Sequence, residues 1–151
     1  MSRKKKENEI DTAKDTAFRF LSYRSRSVLE VKRKLQEKEF SPHTIRATLS
    51  RLMELGYLND QEYAAAVARS SIENKQWGPI RIHDALLKKG IAKDIIDNTL
   101  EELTKDYDLI RVARLAFDSK FSLTPEQLAE EKTRRKVMGY LKRKGFSWNT
   151  I

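Results

Sequence analysis

The chain has 151 residues, of which 35% are charged, and carries a formal net charge of +9. That length makes about one domain or several small repeats, and the charge favours acidic partners such as nucleic acid, an acidic protein surface or anionic lipid. The absence of cysteine excludes disulfides, thiolate zinc sites and thiol nucleophiles, and it fits a reducing cytoplasm. The opening "MSRKKKENEI" has no apolar stretch of the kind a secretory signal needs. No window approaches the eighteen apolar residues of a membrane span, so no segment is expected to cross a membrane, and a membrane is not among the expected partners. The charge is uneven: residues 132–151 hold seven Lys/Arg and no Asp/Glu.

Taken in chain order, the sequence predicts helices throughout. Residues 1–7 read as a basic, disordered tail. Between 8 and 22, Ile10, Ala13, Ala17, Phe20 and Leu21 recur at helical spacing. Ser27 and Glu30 form a capping box before Val28, Val31 and Leu35. Ser41–Pro42 opens a helix with Ile45, Leu49 and Leu52 on one stripe, and Gly56 ends it. Asn59 or Asp60 caps the next, which buries Tyr63, Val67 and Ala68. Gly78–Pro79 starts a helix presenting Ile82, Ala85 and Leu86, closed by Gly90. Ile96, Leu100 and Leu103 mark another, and Leu109, Val112, Ala113, Ala116 and Phe117 one more. "TPE" (124–126) starts a last helix expected to run to Lys144–Gly145. No segment alternates apolar and polar residues long enough for a strand. The fold class is all-α.

Three stretches repeat one pattern: "KLQEKEF" (34–40), "ALLKKGI" (85–91) and "YLKRKGF" (140–146). A shift of 51 places Val31 on Ile82, Leu35 on Leu86, Phe40 on Ile91, Ile45 on Ile96, Leu49 on Leu100 and Leu52 on Leu103. A shift of 55 places Ile82 on Val137, Leu86 on Leu141, Gly90 on Gly145, Ile91 on Phe146 and Ile96 on Ile151. Each unit is a helix, a tight turn and a second helix, with a further helix leading in. The chain is therefore expected to be an elongated tandem array of three-helix, helix-turn-helix-like repeats that share a core by stacking. The boundaries are 8–58, 59–105 and 106–151. The third repeat stops at the counterpart of Ile96: either the natural protein is short there or this sequence is a truncated version of a longer chain, and the second reading is favoured because a half-unit leaves Val137, Leu141 and Phe146 little cover.

No catalytic constellation is visible. There is no phosphate loop and no dinucleotide fingerprint. His43 and His83 lie in different repeats without a carboxylate or histidine at ligand spacing, so both are expected to be solvated. No enzyme activity, cofactor or metal is expected. What stands out is basic. The run "KTRRKVMGYLKRKG" (132–145) concentrates cations, with Arg135 above Lys142 and Lys136 above Arg143, about two turns apart on a helix. Tyr140, Phe146 and Trp148 are interleaved, which suits phosphate contact and base stacking. Equally, Phe146 has core counterparts at Phe40 and Ile91, and packing is the favoured role for these aromatics. Trp77 either staples the entry of its helix or stands as an exposed anchor, and the sequence leaves both open.

Residues 55–91, "LGYLNDQEYAAAVARSSIENKQWGPIRIHDALLKKGI", strongly resemble the RecX family of bacterial regulatory proteins. The match rests on Gly56, Leu58, Asp60, Glu62, Tyr63, Ala64, Gly78, Ile82, Leu86, Lys89, Gly90 and Ile91. The stretch 17–35 is similar to the family's opening pattern through Leu21, Arg24, Ser27, Glu30, Lys32 and Leu35. Val31 stands where Leu is usual, and Glu39 replaces the commoner glycine, so the first corner must turn without one. The resemblance covers about residues 13–151. It implies tandem three-helix repeats that bind RecA recombinase filaments in their helical groove, contact protein and DNA, and restrain ATPase, strand-exchange and coprotease activities in recombination, repair and the SOS response. The family motif is mostly packing and capping, so the candidate contact residues rest on charge: Arg24, Arg26, Lys32, Arg33 and Lys34 in the first repeat, Arg81, Lys88 and Lys89 in the second, and Arg134, Arg135, Lys136, Lys142 and Arg143 in the third.

The expected partners are a RecA filament and single- or double-stranded DNA held nonspecifically by its phosphates. The expected state is a cytoplasmic monomer. The alternative is a helix-turn-helix DNA-binding protein or transcription factor. A base reader would want one recognition helix rich in Arg, Asn or Gln and usually a dimer. Here the cations are spread over three units, which favours contact with phosphate or an acidic surface.

Overall fold

The computed structural model describes residues 3–151. Among them it is all-helical, with nine helices: α1 (Arg3–Tyr23), α2 (Val28–Glu37), α3 (Pro42–Glu54), α4 (Asp60–Lys75), α5 (Pro79–Lys88), α6 (Lys93–Asp106), α7 (Leu109–Lys120), α8 (Pro125–Ala129) and α9 (Glu131–Arg143). The chain divides into two compact units. One runs to Tyr63 and takes in residues 89–91; the other comprises residues 64–88 and 92–151.

Two expectations need correction. Residues 3–7, read as part of a disordered tail, form the first turns of α1, with Arg3 and Glu7 paired at 3.5 Å one turn apart. Met1 and Ser2 lie outside the described residues. The helix expected from Thr124 to Lys144 is two helices. α8 starts on the Thr124–Gln127 capping box, and Glu130 (φ −69, ψ 128) turns the backbone extended before α9. No Gly or Pro marks that break.

In the first unit α1, α2 and α3 pack on one another. Their core is Ala13, Ala17, Val31, Leu35, Ile45, Leu49, Leu52 and Leu58, with Phe20, Leu21, Val28 and Phe40 half-buried against it. The two alanines one turn apart on α1 have only a methyl each and are fully buried, which lets neighbouring helices come close. Ser27 and Glu30 cap α2 reciprocally, and Ser41 caps α3 ahead of Pro42.

The repeated corner is a helix stop. At its first occurrence the Glu39 N–H donates to Gln36 O at 2.9 Å and the Phe40 N–H to Leu35 O at 3.2 Å. The same pair recurs as Gly145 to Lys142 O and Phe146 to Leu141 O. This pattern needs a left-handed residue after the last turn and an apolar one behind it. Gly145 supplies it at φ 99, and Glu39 adopts it at φ 63 without being glycine. Phe146 is 1% exposed against its own helix end.

These corners are seats as well as stops. Within the first unit, Ser27 Oγ donates to Lys89 O at 2.7 Å, and Gly90 lies so close to Leu29 that a Cβ there would collide with its side chain. Within the second, the Gly78 N–H donates to Lys144 O at 2.7 Å and the Ile80 N–H to Gly145 O at 3.0 Å. A Cβ on Gly78 would strike the Gly145 carbonyl. Under the repeat shifts, Ser27 corresponds to Gly78 and Lys89 to Lys144. One docking, a corner set on the first turn of an earlier repeat's middle helix, therefore occurs twice.

Candidate functional site

The structure sorts the candidate cations into two groups. In the first unit three of them converge on one carboxylate. Glu30 is 13% exposed at its side chain and accepts from Arg24 at 2.5 Å, with Arg26 at 3.8 Å and Lys89 at 3.7 Å. The Arg26 guanidinium also lies 3.9 Å over the Phe20 ring and donates to Phe20 O. Burial works to raise the Glu30 carboxyl, but the hydrogen bonds from Arg24 and the Ser27 N–H, together with the Tyr63 hydroxyl and the Lys89 charge, outweigh it and hold the group below its ordinary value. Arg24, Arg26 and Lys89 thus brace the corner at 89–91 against α2. Lys34 leans towards the Phe20 ring at 5.5 Å, while Lys32 and Arg33 are exposed on α2.

Beside this cluster Asn59 caps α4, accepting from the Gln61 and Glu62 N–H groups. Asp60 turns instead to α2 and accepts the Val28 N–H at 2.9 Å. Burial raises the Asp60 carboxyl above its ordinary value. The Val28 hydrogen bond works against that, and the Glu30 charge adds to it. A raised carboxyl is destabilising in its charged form, so its contribution is favourable only at low pH and is lost as pH rises through the folded value. Asp60→Asn keeps the acceptor and drops the charge, and is expected to leave stability at neutral pH unchanged or slightly higher. Asp60→Ala leaves the Val28 N–H unpaired and is expected to lose about 1 kcal/mol. Urea denaturation of both variants checks this; equal losses would show that the charge, not the acceptor, matters.

The second unit is different. At 100° per residue, Lys132, Arg135, Lys136, Lys142 and Arg143 fall within roughly a third of the α9 circumference, opposite the buried Val137 and Leu141. All five are exposed. Arg135 pairs with Glu131 at 2.5 Å, in an exposed pair worth little. Among the described residues no carboxylate pairs with the other four. Gly139 sits in the middle of this face, where an added Cβ would meet Arg143 Nη1 at 3.3 Å. Arg134 does not join them. It lies at the edge of the apolar side and lines a groove there.

The corner at 143–146 brings a second set of cations to the same end of α9. Arg81 stacks on Trp77 at 4.2 Å, with Lys75 over that ring at 4.6 Å, and Arg81 Nη1 lies 3.5 Å from Arg143 O. Lys144 donates to Lys75 O at 2.8 Å, closing the end of α4. Lys142 lies 5.7 Å from the ring of Trp148, which is 63% exposed. Trp77 is therefore half-buried and stapled by cations. Of the three C-terminal aromatics, Phe146 is core and Tyr140 packs on Phe121 and donates to Ala116 O. Only Trp148 is presented to solvent. Lys88 is exposed on α5, away from any carboxylate pair. Lys75 and Lys144 were not singled out by sequence reasoning. They reach this corner only through folding, across 69 positions, and the repeat of the corner itself was the one signal that could have placed Lys144 there.

His43 is exposed, and His83 is half-buried with Nδ1 3.6 Å from Asp84. Among the described residues no group of three or more His, Cys, Asp or Glu lies where it could hold a metal ion, and no helix is long and apolar enough to cross a membrane.

Capped three-helix repeats in tandem, with corner-on-helix docking and a basic face on α9, define a helical-repeat protein. Family models assign it more closely. Residues 13–52 match the first three-helix domain of RecX and residues 59–100 the second. The regulatory protein RecX of Trichlorobacter lovleyi is 31% identical over 135 residues, which is 89% of this chain and 88% of that protein. Its counterpart from Pelodictyon phaeoclathratiforme is 33% identical over 145 residues, covering 96% and 88%. A crystal structure of regulatory protein RecX superposes with a TM-score of 0.82 at 26% identity, covering 96% of this chain and 70% of that one. The chain belongs to the RecX family of regulatory proteins.

Proposed function

We propose that this chain is a non-enzymatic regulator that binds RecA-type recombinase filaments on single-stranded DNA and restrains their ATPase, strand-exchange and coprotease activities. Family membership supports the regulatory role. The observation that carries the mode of binding is the exposed face of α9, with Lys132, Arg135, Lys136, Lys142 and Arg143, joined at its end by Arg81, Lys75 and the exposed Trp148. A cationic helix face with little local neutralisation is suited to a phosphate backbone or an acidic protein groove. Arg24, Arg26 and Lys89 are engaged by Glu30, so we assign contact to the second unit and bracing to the first.

Binding of fluorescent single-stranded and duplex oligonucleotides of random sequence, followed across salt, tests the mode. Five phosphate contacts would give a log–log slope of about −3.5 on single strands, with no preference among sequences. Tight binding to one duplex sequence with a shallow salt slope would favour a helix-turn-helix transcription factor instead.

A further inference from the structure

Gly139 lies in the interior of α9, where glycine weakens a helix relative to alanine. The fold does not require it. It closes no turn; the glycines of positive φ are Gly56, Gly90 and Gly145. A Cβ on Gly78, Gly90 or Gly145 would lie 2.4, 2.3 and 2.5 Å from its nearest neighbour. On Gly139 it would meet only the flexible end of Arg143, with Nη1 at 3.3 Å. The repeat carries a side chain at this position elsewhere. The shift of 55 places Gly139 on Asp84, and the shift of 51 places Asp84 on Arg33. Asp84 on α5 and Arg33 on α2 are both exposed. Each belongs to a repeat whose following helix, α6 or α3, is in place, so this face points outward in the architecture itself.

What distinguishes Gly139 is its place among the cations. At 100° per residue, Lys132, Arg135, Lys136, Lys142 and Arg143 all fall within about 60° of it around the helix. Arg135 and Lys136 stand one turn before it, Lys142 and Arg143 one turn after. The centre of the basic face is therefore bare helix backbone between two pairs of cations. We propose that Gly139 is the seat on which the sugar–phosphate backbone of a single-stranded nucleic acid lies, which rests on the phosphate-binding reading proposed for this face. Without a Cβ, a phosphodiester comes close to the helix, and the cations of both flanking turns reach it and its neighbours. Close approach of one backbone to another group is a standard use of glycine. An acidic protein surface would not need the gap. A carboxylate carries the reach of its own side chain and meets Arg and Lys ends without the helix being bared. A phosphodiester is flanked by sugar on both sides and has to lie along the surface.

The test uses the full chain, Gly139→Ala and Gly139→Leu, with fluorescein-labelled oligothymidylate followed by anisotropy across salt. All five cations are kept in both variants. Gly139→Ala is expected to bind several-fold more weakly and Gly139→Leu at least about tenfold, or roughly 1.4 kcal/mol. The salt slope of Gly139→Leu should be shallower than the parent's, because a strand held off the helix is reached by fewer cations. Thermal unfolding of Gly139→Ala should match or exceed the parent, since alanine favours the helix. Labelled polyglutamate serves as the second probe, and its binding should change little in either variant. If the parent binds oligothymidylate in a salt-dependent way and both variants bind as tightly, the seat is overturned while the phosphate-binding reading stands. If the parent binds no oligonucleotide, that reading falls and the seat with it. A Gly139→Ala chain that melts below the parent would make the glycine a structural requirement and overturn the proposal. So would a loss on polyglutamate as large as that on oligothymidylate, which would assign the gap to an acidic protein surface.

Discussion

Gly145→Ala is expected to lower stability by about 3 kcal/mol or more, whereas the same change at Gly56 costs about 1 kcal/mol. Both glycines close helices, at φ 99 and φ 81. The difference lies in what surrounds them. A Cβ at Gly56 meets nothing within 4 Å; at Gly145 it would lie 2.5 Å from the Arg81 amide nitrogen and 2.6 Å from Arg81 Cβ. Those are backbone-bound atoms at the first turn of α5 and cannot swing aside. Relieving the clash means pulling the corner off α5, with loss of the Gly78–Lys144 and Ile80–Gly145 hydrogen bonds. For a chain of this length 3 kcal/mol is about 6–12 °C in melting temperature. Thermal unfolding of the two variants side by side measures it. Equal small losses would show that the corner is a simple helix stop and no seat.

Glu30→Ala is expected to lose about 2–4 kcal/mol. It removes half the capping box of α2 and leaves Arg26, 13% exposed at its side chain, without its carboxylate. Arg24 and Lys89 are nearly half exposed and contribute less. Glu30→Gln keeps a capping acceptor and drops the charge, and should fall between. The sign with pH follows from the lowered carboxyl. A group held below its ordinary value adds stability above the unfolded value of 4.5, and loses that addition as pH falls through the folded value. The gap between the parent and Glu30→Gln should therefore be full at neutral pH and close in acid, below about pH 4.5. Urea titrations at pH 7 and in acid read it directly. A gap that stays constant would mean that shape, not charge, holds the cluster.

The helices were legible because their punctuation is local. Ser27 with Glu30, Ser41 with Pro42, and Thr124 with Pro125 are signals contained within a few residues, and each opens a helix in the structure. The repeated corner was legible for a similar reason: its leucine and large apolar residue are five positions apart and meet across one turn. The break at Glu130 was not, because an extended residue between two helices needs neither Gly nor Pro. Nor was the division of the cations. Arg24 and Lys89 are 65 positions apart, and nothing in either neighbourhood shows that both reach Glu30. A list drawn from charge alone therefore mixed braces with free cations, and it passed over Lys75 and Lys144, whose position depends on the corner docking at 143–146.

The central claim is tested most directly by single-stranded-DNA-dependent ATP hydrolysis by the cognate RecA recombinase, with this chain titrated in. Beside it runs a variant with Arg135, Lys136, Lys142 and Arg143 changed to glutamate. These four side chains are exposed, so the fold should persist. The account predicts inhibition well below one chain per recombinase subunit, reduced at least tenfold in apparent affinity by the variant, while Lys32→Glu with Arg33→Glu on α2 has little effect. A folded chain in large excess that leaves the ATPase untouched, or a variant that inhibits as well as the parent, would contradict it.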